Sequence, residues 1–145
     1  MITFGEKLKI YIEQEGLNLK KFSEKAGVEY SAFRNLLVNF KRNKGYLHLY
    51  IEYCKVIGYR IDFLLIDKEN GNQIIDSGMT AGSILKKAMK LKQLMIVDIA
   101  ENLGISVAGA SKRIRSLSEN VAKIDKFIEL VNAIGYDIEV IFVKE

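Results

Sequence analysis

The chain aligns with itself at an offset of 77 residues, so that residues 3–68 lie over residues 80–145 without a gap. Identities fall at Thr3/Thr80, Gly5/Gly82, Leu8/Leu85, Lys9/Lys86, Leu17/Leu94, Glu24/Glu101, Gly27/Gly104 and Asn43/Asn120. They continue at Ile51/Ile128, Glu52/Glu129, Ile57/Ile134, Gly58/Gly135, Tyr59/Tyr136 and Ile61/Ile138. Composition alone gives about one match in sixteen. A match of this extent requires both copies to adopt the same supersecondary unit. It divides the chain into a first repeat over residues 1–66, a linker over 67–79 and a second repeat over 80–145.

Each copy reads as four short helices and a strand. Thr3 and Glu6 have capping-box spacing, which places a helix start there, and Leu8/Ile12 and Leu85/Met89 share one face of the first helix. A second helix is expected near Leu19–Ala26 and Ile96–Leu103, followed by Gly27 and Gly104, where a positive φ costs little. A third follows near Glu29–Leu37 and Ser106–Arg115. Helical spacing is clearest in the fourth, with Leu47, Tyr50, Ile51, Cys54 and Ile57 repeated as Ile124, Phe127, Ile128, Val131 and Ile134. After Gly58 and Gly135 the period changes to two, through Tyr59, Ile61, Phe63, Leu65 and Tyr136, Ile138, Val140, Phe142. A lone strand cannot satisfy its backbone groups. Strand 59–66 is therefore expected to pair with strand 136–143, or else with a second chain. Leu64, Ile66, Ile141 and Val143 on the outer faces leave room for homodimer formation.

Composition narrows the function. The chain is 49% apolar and 28% charged, which suits a core-forming globular protein. Its longest apolar runs are far too short to cross a bilayer, so no membrane partner is expected, and the charged N-terminal stretch does not read as a signal peptide. Cys54 is the single cysteine and His48 the single histidine, so no disulfide framework and no structural zinc site can be assembled within one chain. Cys54 lies on a helix face expected to be buried, and the whole points to a cytoplasmic protein. There is no Gly-rich phosphate loop, no His-Glu-x-x-His run and no nucleophile elbow, so no enzyme and no cofactor are expected. A net charge of +4 suits nucleic acid without demonstrating it. The position of the charges must decide.

The segments Leu17–Leu37 and Leu94–Ile114 carry the most information. Two helices meeting at a steep angle need a small residue in the first, here Ser23 and Ala100. They need a glycine four residues later, Gly27 and Gly104, with an apolar anchor after it, Val28 and Ile105. A further apolar residue in the second helix closes the pair, Phe33 and Ala110. Both copies meet all four demands. The constellation resembles the lambda-repressor-like family of phage Cro proteins, phage repressors and XRE-type regulators, over residues 3–58 and 80–135. The resemblance implies a mainly α fold of two tandem lambda-repressor-like helix-turn-helix repeats, each with four helices and a C-terminal strand. It further implies that the helix after the turn enters the major groove of double-stranded DNA, while the loop behind it grips phosphates.

By matched position, the resemblance makes Tyr30, Ser31, Arg34 and Asn35 the base-reading candidates of the first copy. In the second they are Val107, Ala108, Ser111 and Lys112. Arg34 suits guanine and Asn35 suits adenine as bidentate partners. Lys41, Arg42 and Lys44 fall in the expected phosphate loop, and Arg113 and Arg115 add to Lys112 in the second copy. The equivalent second loop, Ser116-Leu117-Ser118-Glu119, is not basic, and Leu19 and Ile96 stand where the family often has glutamine. The basic run at Lys41 also reads as a solvated loop, and Lys86, Lys87, Lys90 and Lys92 read as a soluble face. Tyr50 and Tyr53 read as packing residues, and His48 as exposed. Two functions follow: a sequence-specific transcriptional regulator of bacterial or phage type, or a protein-interaction module on the same fold, such as a phage-encoded inhibitor of a host nuclease.

Overall fold

A computed structural model describes residues 2–75, 77–119 and 121–145 of the chain; the matched Asn120 lies outside them. Among the described residues there are eight helices and three strands. The helices α1 (Phe4–Gln14), α2 (Leu19–Ala26), α3 (Tyr30–Lys41) and α4 (Leu47–Val56) precede strand β1 (Tyr59–Asp67). A short strand β2 (Gln73–Ile75) leads to α5 (Ala81–Leu91), α6 (Ile96–Leu103), α7 (Val107–Ser118), α8 (Ile124–Ala133) and β3 (Tyr136–Lys144). Every boundary of α5 to α8 and β3 lies 77 positions after its counterpart in α1 to α4 and β1.

The offset holds for local chemistry as well. Thr3 accepts the Glu6 N–H and Thr80 accepts the Ser83 N–H, each capping a helix start. Gly27 and Gly104 end α2 and α6 at φ 71° and 66°, in the left-handed region where a side chain is strained. The Val28 N–H donates to the Ser23 carbonyl and the Ile105 N–H to the Ala100 carbonyl, both at 3.0 Å. One departure is informative. Asn18 caps α2 with its own side chain, whereas the Met95 N–H is met by the Asp98 carboxylate at 2.7 Å.

The chain forms two compact units, one of residues up to Ile61 together with Phe142–Glu145, the other Asp62–Ile141. The first unit has an aromatic core. Phe22 and Phe33 are 4.7 Å apart, Phe33 and Tyr53 5.5 Å, and Phe40 and Tyr50 5.4 Å. Tyr11 of α1 stacks on Phe142 of β3 at 4.2 Å. Tyr50 donates its hydroxyl proton to the Phe4 carbonyl, which satisfies a polar group that burial would otherwise penalise. Cys54 is buried beside it, and burial pushes its thiol well above the usual range, as expected of a core filler. The second unit fills the same positions with Ile99, Ala110, Leu117 and Phe127, and Phe127 meets Phe63 of β1 edge-on at 5.1 Å.

The sheet has the order β2-β1-β3, so the expected neighbouring of the two long strands is present. The Lys68 N–H donates to the Gly135 carbonyl and the Glu145 N–H to the Gly58 carbonyl, both at 2.9 Å. Within the linker over 67–79, β2 pairs antiparallel with β1 through Leu64↔Ile75 and Ile66↔Gln73. Two expectations need correction. Leu64 is therefore buried and not an open tip, and β1, as the central strand, buries both faces over most of its length. His48 is half-buried, with Nδ1 enclosed and unpaired, since α4 turns it inward.

Candidate nucleic-acid interface

In the first unit α2 and α3 are joined by the Gly27 turn and pack on one another. Ser23 is buried and ties its hydroxyl back to the Lys20 carbonyl at 2.7 Å, so the contact side of α2 stays small and satisfied. Phe33 and Leu37 bury the inner side of α3. Its outer side is set by spacing: Tyr30, Ser31, Arg34, Asn35 and Val38 fall on one face of the helix and all are exposed. Arg34 lies over the Tyr30 ring at 5.6 Å, which steadies a long side chain on that face. Ser31 donates to the Glu29 carboxylate at 2.5 Å.

The basic run differs from the expectation. α3 continues to Lys41, because Leu37 and Phe40 prolong its apolar stripe against α1, and Lys41 is a half-buried helical residue. Arg42 caps the helix and Lys44 follows in the loop, both exposed. Asn43 shapes this turn. It sits at φ 55°, and its side-chain oxygen accepts the Phe4 N–H at 2.8 Å, tying the end of α3 to the start of α1. The role of Asn43 was visible in the sequence only as one of the matched positions.

In the second unit α6 and α7 are joined by the Gly104 turn. The matching face of α7 carries Val107, Ala108, Ser111, Lys112 and Arg115. Val107 is 49% exposed, Ser111 is half-buried, and Lys112 and Arg115 are exposed. Arg113 points elsewhere, to the Glu129 carboxylate of α8 at 3.0 Å. Ser116 to Ser118 belong to α7 and not to a loop, for the reason that lengthens α3: Ile114 and Leu117 are buried. Met95 and Val97, at the start of α6, are 69% and 45% exposed. Lys92 is not part of a soluble face, since it meets the Asp67 carboxylate at 3.3 Å and lies 4.4 Å from the Tyr136 ring centre.

The first unit thus gathers Tyr30, Ser31, Arg34 and Asn35 on one exposed face, with Lys41, Arg42 and Lys44 at its C-terminal end. The second exposes Lys112 and Arg115, and with them the apolar Met95, Val97 and Val107. Among the described residues there is no cluster of His, Cys, Asp and Glu that could hold a metal ion, and no helix long and apolar enough to cross a membrane. No protein-family model, curated protein or solved structure matches the chain.

Proposed function

We propose that the protein is a sequence-specific DNA-binding regulator of transcription, of bacterial or phage type, built from two tandem helix-turn-helix repeats and acting in the cytoplasm without catalysis. The observation that carries this reading is the outer face of α3. A bidentate donor (Arg34) and an amide (Asn35) stand on one exposed helix face directly after a glycine turn. Arg42 and Lys44 lie at its end on a turn fixed by Asn43. Base-reading groups on a helix and cations at its end are what major-groove recognition requires. The recurrence of every element boundary at 77 residues supports two such units.

Selection of bound sequences from a random DNA pool, followed by titration at several salt concentrations, tests this. A single enriched sequence is expected, with affinity falling steeply as salt rises. Arg34→Ala should cost about 1–3 kcal/mol of discrimination at one base pair. Binding of all sequences alike, or of none, would remove the proposal.

A second reading rests on the second unit. Met95, Val97 and Val107 are exposed apolar residues where the first unit has Asn18, Lys20 and Tyr30. This face suits a protein partner better than phosphate. Under that reading Arg34→Ala and Arg42→Ala leave the biological effect intact, while Val97→Asp with Val107→Asp abolishes it.

A further inference from the structure

We propose that charges at the strand ends form a code that makes each unit accept the strand end of the other repeat and reject the strand of a second copy of the chain. The first unit closes on the end of β3: Lys144 bonds the Glu15 carboxylate, which also accepts the Tyr59 hydroxyl at 2.7 Å. The second closes on the end of β1: Asp67 meets Lys92 at 3.3 Å, and Lys92 lies over Tyr136. Glu15 aligns with Lys92, Asp67 with Lys144, and Tyr59 with Tyr136. The same site is built twice with its signs reversed.

A neighbouring layer repeats the reversal. Lys68 lies 3.7 Å from Asp137, and the aligned residues are Glu145 and Arg60, again of opposite sign. All four positions, 15/92, 60/137, 67/144 and 68/145, thus invert charge between the repeats. Charge also inverts at 13/90, 21/98 and 42/119, while Lys9/Lys86, Glu24/Glu101 and Glu52/Glu129 keep theirs. What sets the strand ends apart is that their inverted charges meet as opposite pairs, Glu15 with Lys144, Asp67 with Lys92 and Lys68 with Asp137, around strand positions that remain apolar at 63–66 and 140–143.

The inversion matters because the strand pairing is its own image under the offset. The bond from the Lys68 N–H to Gly135 and that from the Glu145 N–H to Gly58 are equivalent. A second copy could therefore exchange strands, laying its β1 on β1 in the same register in place of β3, since a strand freed of its partner invites such pairing. In that assembly Glu15 would meet a second copy's Asp67, and Lys68 would meet Arg60. Pairing of β3 with β3 would bring Lys92 to Lys144 and Glu145 to Asp137. Asp67 is 8% and Lys92 22% exposed, so like charges there would be poorly screened. Apolar strand faces supply the attraction, and the charges choose the partner.

Two experiments on the full chain decide. In the first, E15K and K144E are each expected to lower the thermal midpoint by a few degrees, and E15K/K144E to recover most of the loss. In the second, the strand ends are exchanged as D67K/K68E/K144D/E145K. Every intrachain pair then repels and every like-with-like pair attracts. The tether gives β1 and β3 an effective concentration of roughly millimolar, so all pairs must be reversed together. At several hundred micromolar this variant is expected to show the mass of two chains by light scattering, a species that the parent lacks. Adding E15K, R60D, K92E and D137R should return it to the parent's mass. The code is overturned if E15K/K144E melts no higher than E15K and K144E alone. It is equally overturned if the exchanged variant keeps the parent's mass and midpoint. Should the exchanged variant not fold, the cycle at Glu15 decides alone.

Discussion

Gly5 and Gly82 show at the level of single atoms why the repeat preserves what it does. A Cβ on Gly5 would lie 2.2 Å from the Lys41 nitrogen and 2.4 Å from the Phe40 carbonyl carbon, both backbone atoms of α3. On Gly82 it would lie 2.6 Å from the Ser118 hydroxyl oxygen and 3.0 Å from the Ser118 nitrogen. Lys41 and Ser118 are themselves aligned, so one close helix approach recurs in both units. A hydroxyl can rotate away and a helix backbone cannot. Overpacking costs about 1–3 kcal/mol, offset by roughly 1 kcal/mol of better helix propensity for alanine. Gly5→Ala should therefore lower the urea midpoint, by up to about 2 kcal/mol in stability, and Gly82→Ala less. Equal losses would mean that the backbone approach is not what sets the cost. Glu15 makes a second residue-scale case. Its hydrogen bond to Lys144, then that to Tyr59, hold its carboxyl below the ordinary range. A depressed folded-state value contributes stability that is present above the unfolded value near 4.5 and lost as pH falls through the folded one. Between pH 5 and 3, Glu15→Gln should flatten the fall of the melting midpoint. A slope identical to the parent's would count against the assignment.

At the scale of elements, the two helices around each turn were legible in proportion to how well their ends are marked. α2 and α6 were readable end to end because a left-handed glycine stops each one within a few residues of the turn. α3 and α7 run further than their sequence suggests. No glycine or proline halts them locally, and what extends them is burial of Phe40 and Leu117, a tertiary effect. β2 was illegible for a related reason: three residues, Gln73–Ile75, show no period and become a strand only through pairing with β1. The inward turn of Lys92 likewise depends on Asp67 and Tyr136, both remote in sequence. The outer face of α3 was legible because helical spacing alone places Tyr30, Ser31, Arg34 and Asn35 together, whereas the pairing of Arg113 with Glu129 needed α8 in place. Asn43 joins two elements and permits a test at this scale. Asn43→Gly keeps the positive φ but removes the acceptor of the Phe4 N–H, at a cost of about 1 kcal/mol in stability. Because the same bond fixes the turn that carries Arg42 and Lys44, the proposed DNA-binding reading expects affinity to fall several-fold while base preference is unchanged. A loss of stability with full affinity would show that the turn needs no such anchor.

For the whole molecule, duplication has produced two units with the same frame and different surfaces. The first keeps a cluster of aromatic residues inside and a mixed polar face outside; the second has mostly small and aliphatic residues around Phe63 and Phe127 inside, with Val107 and Ala108 at the head of the matching face. This asymmetry predicts a division of labour in binding. On the proposed DNA-binding reading, Arg34 and Asn35 distinguish bases, whereas Lys112 and Arg115 offer charge alone. Each neutralised phosphate steepens the dependence of log affinity on log salt by about 0.9. Lys112→Ala with Arg115→Ala should therefore shallow that slope by roughly two and weaken all sequences alike. Arg34→Ala should act the other way, relaxing preference at one position with a smaller change of slope. Fluorescence anisotropy with an enriched and a scrambled duplex, each at four or five salt concentrations, separates the two effects. If the pair in α7 leaves the slope untouched, the second unit does not engage the duplex. Its exposed Met95, Val97 and Val107 would then be the surface to follow, with a protein as the partner sought.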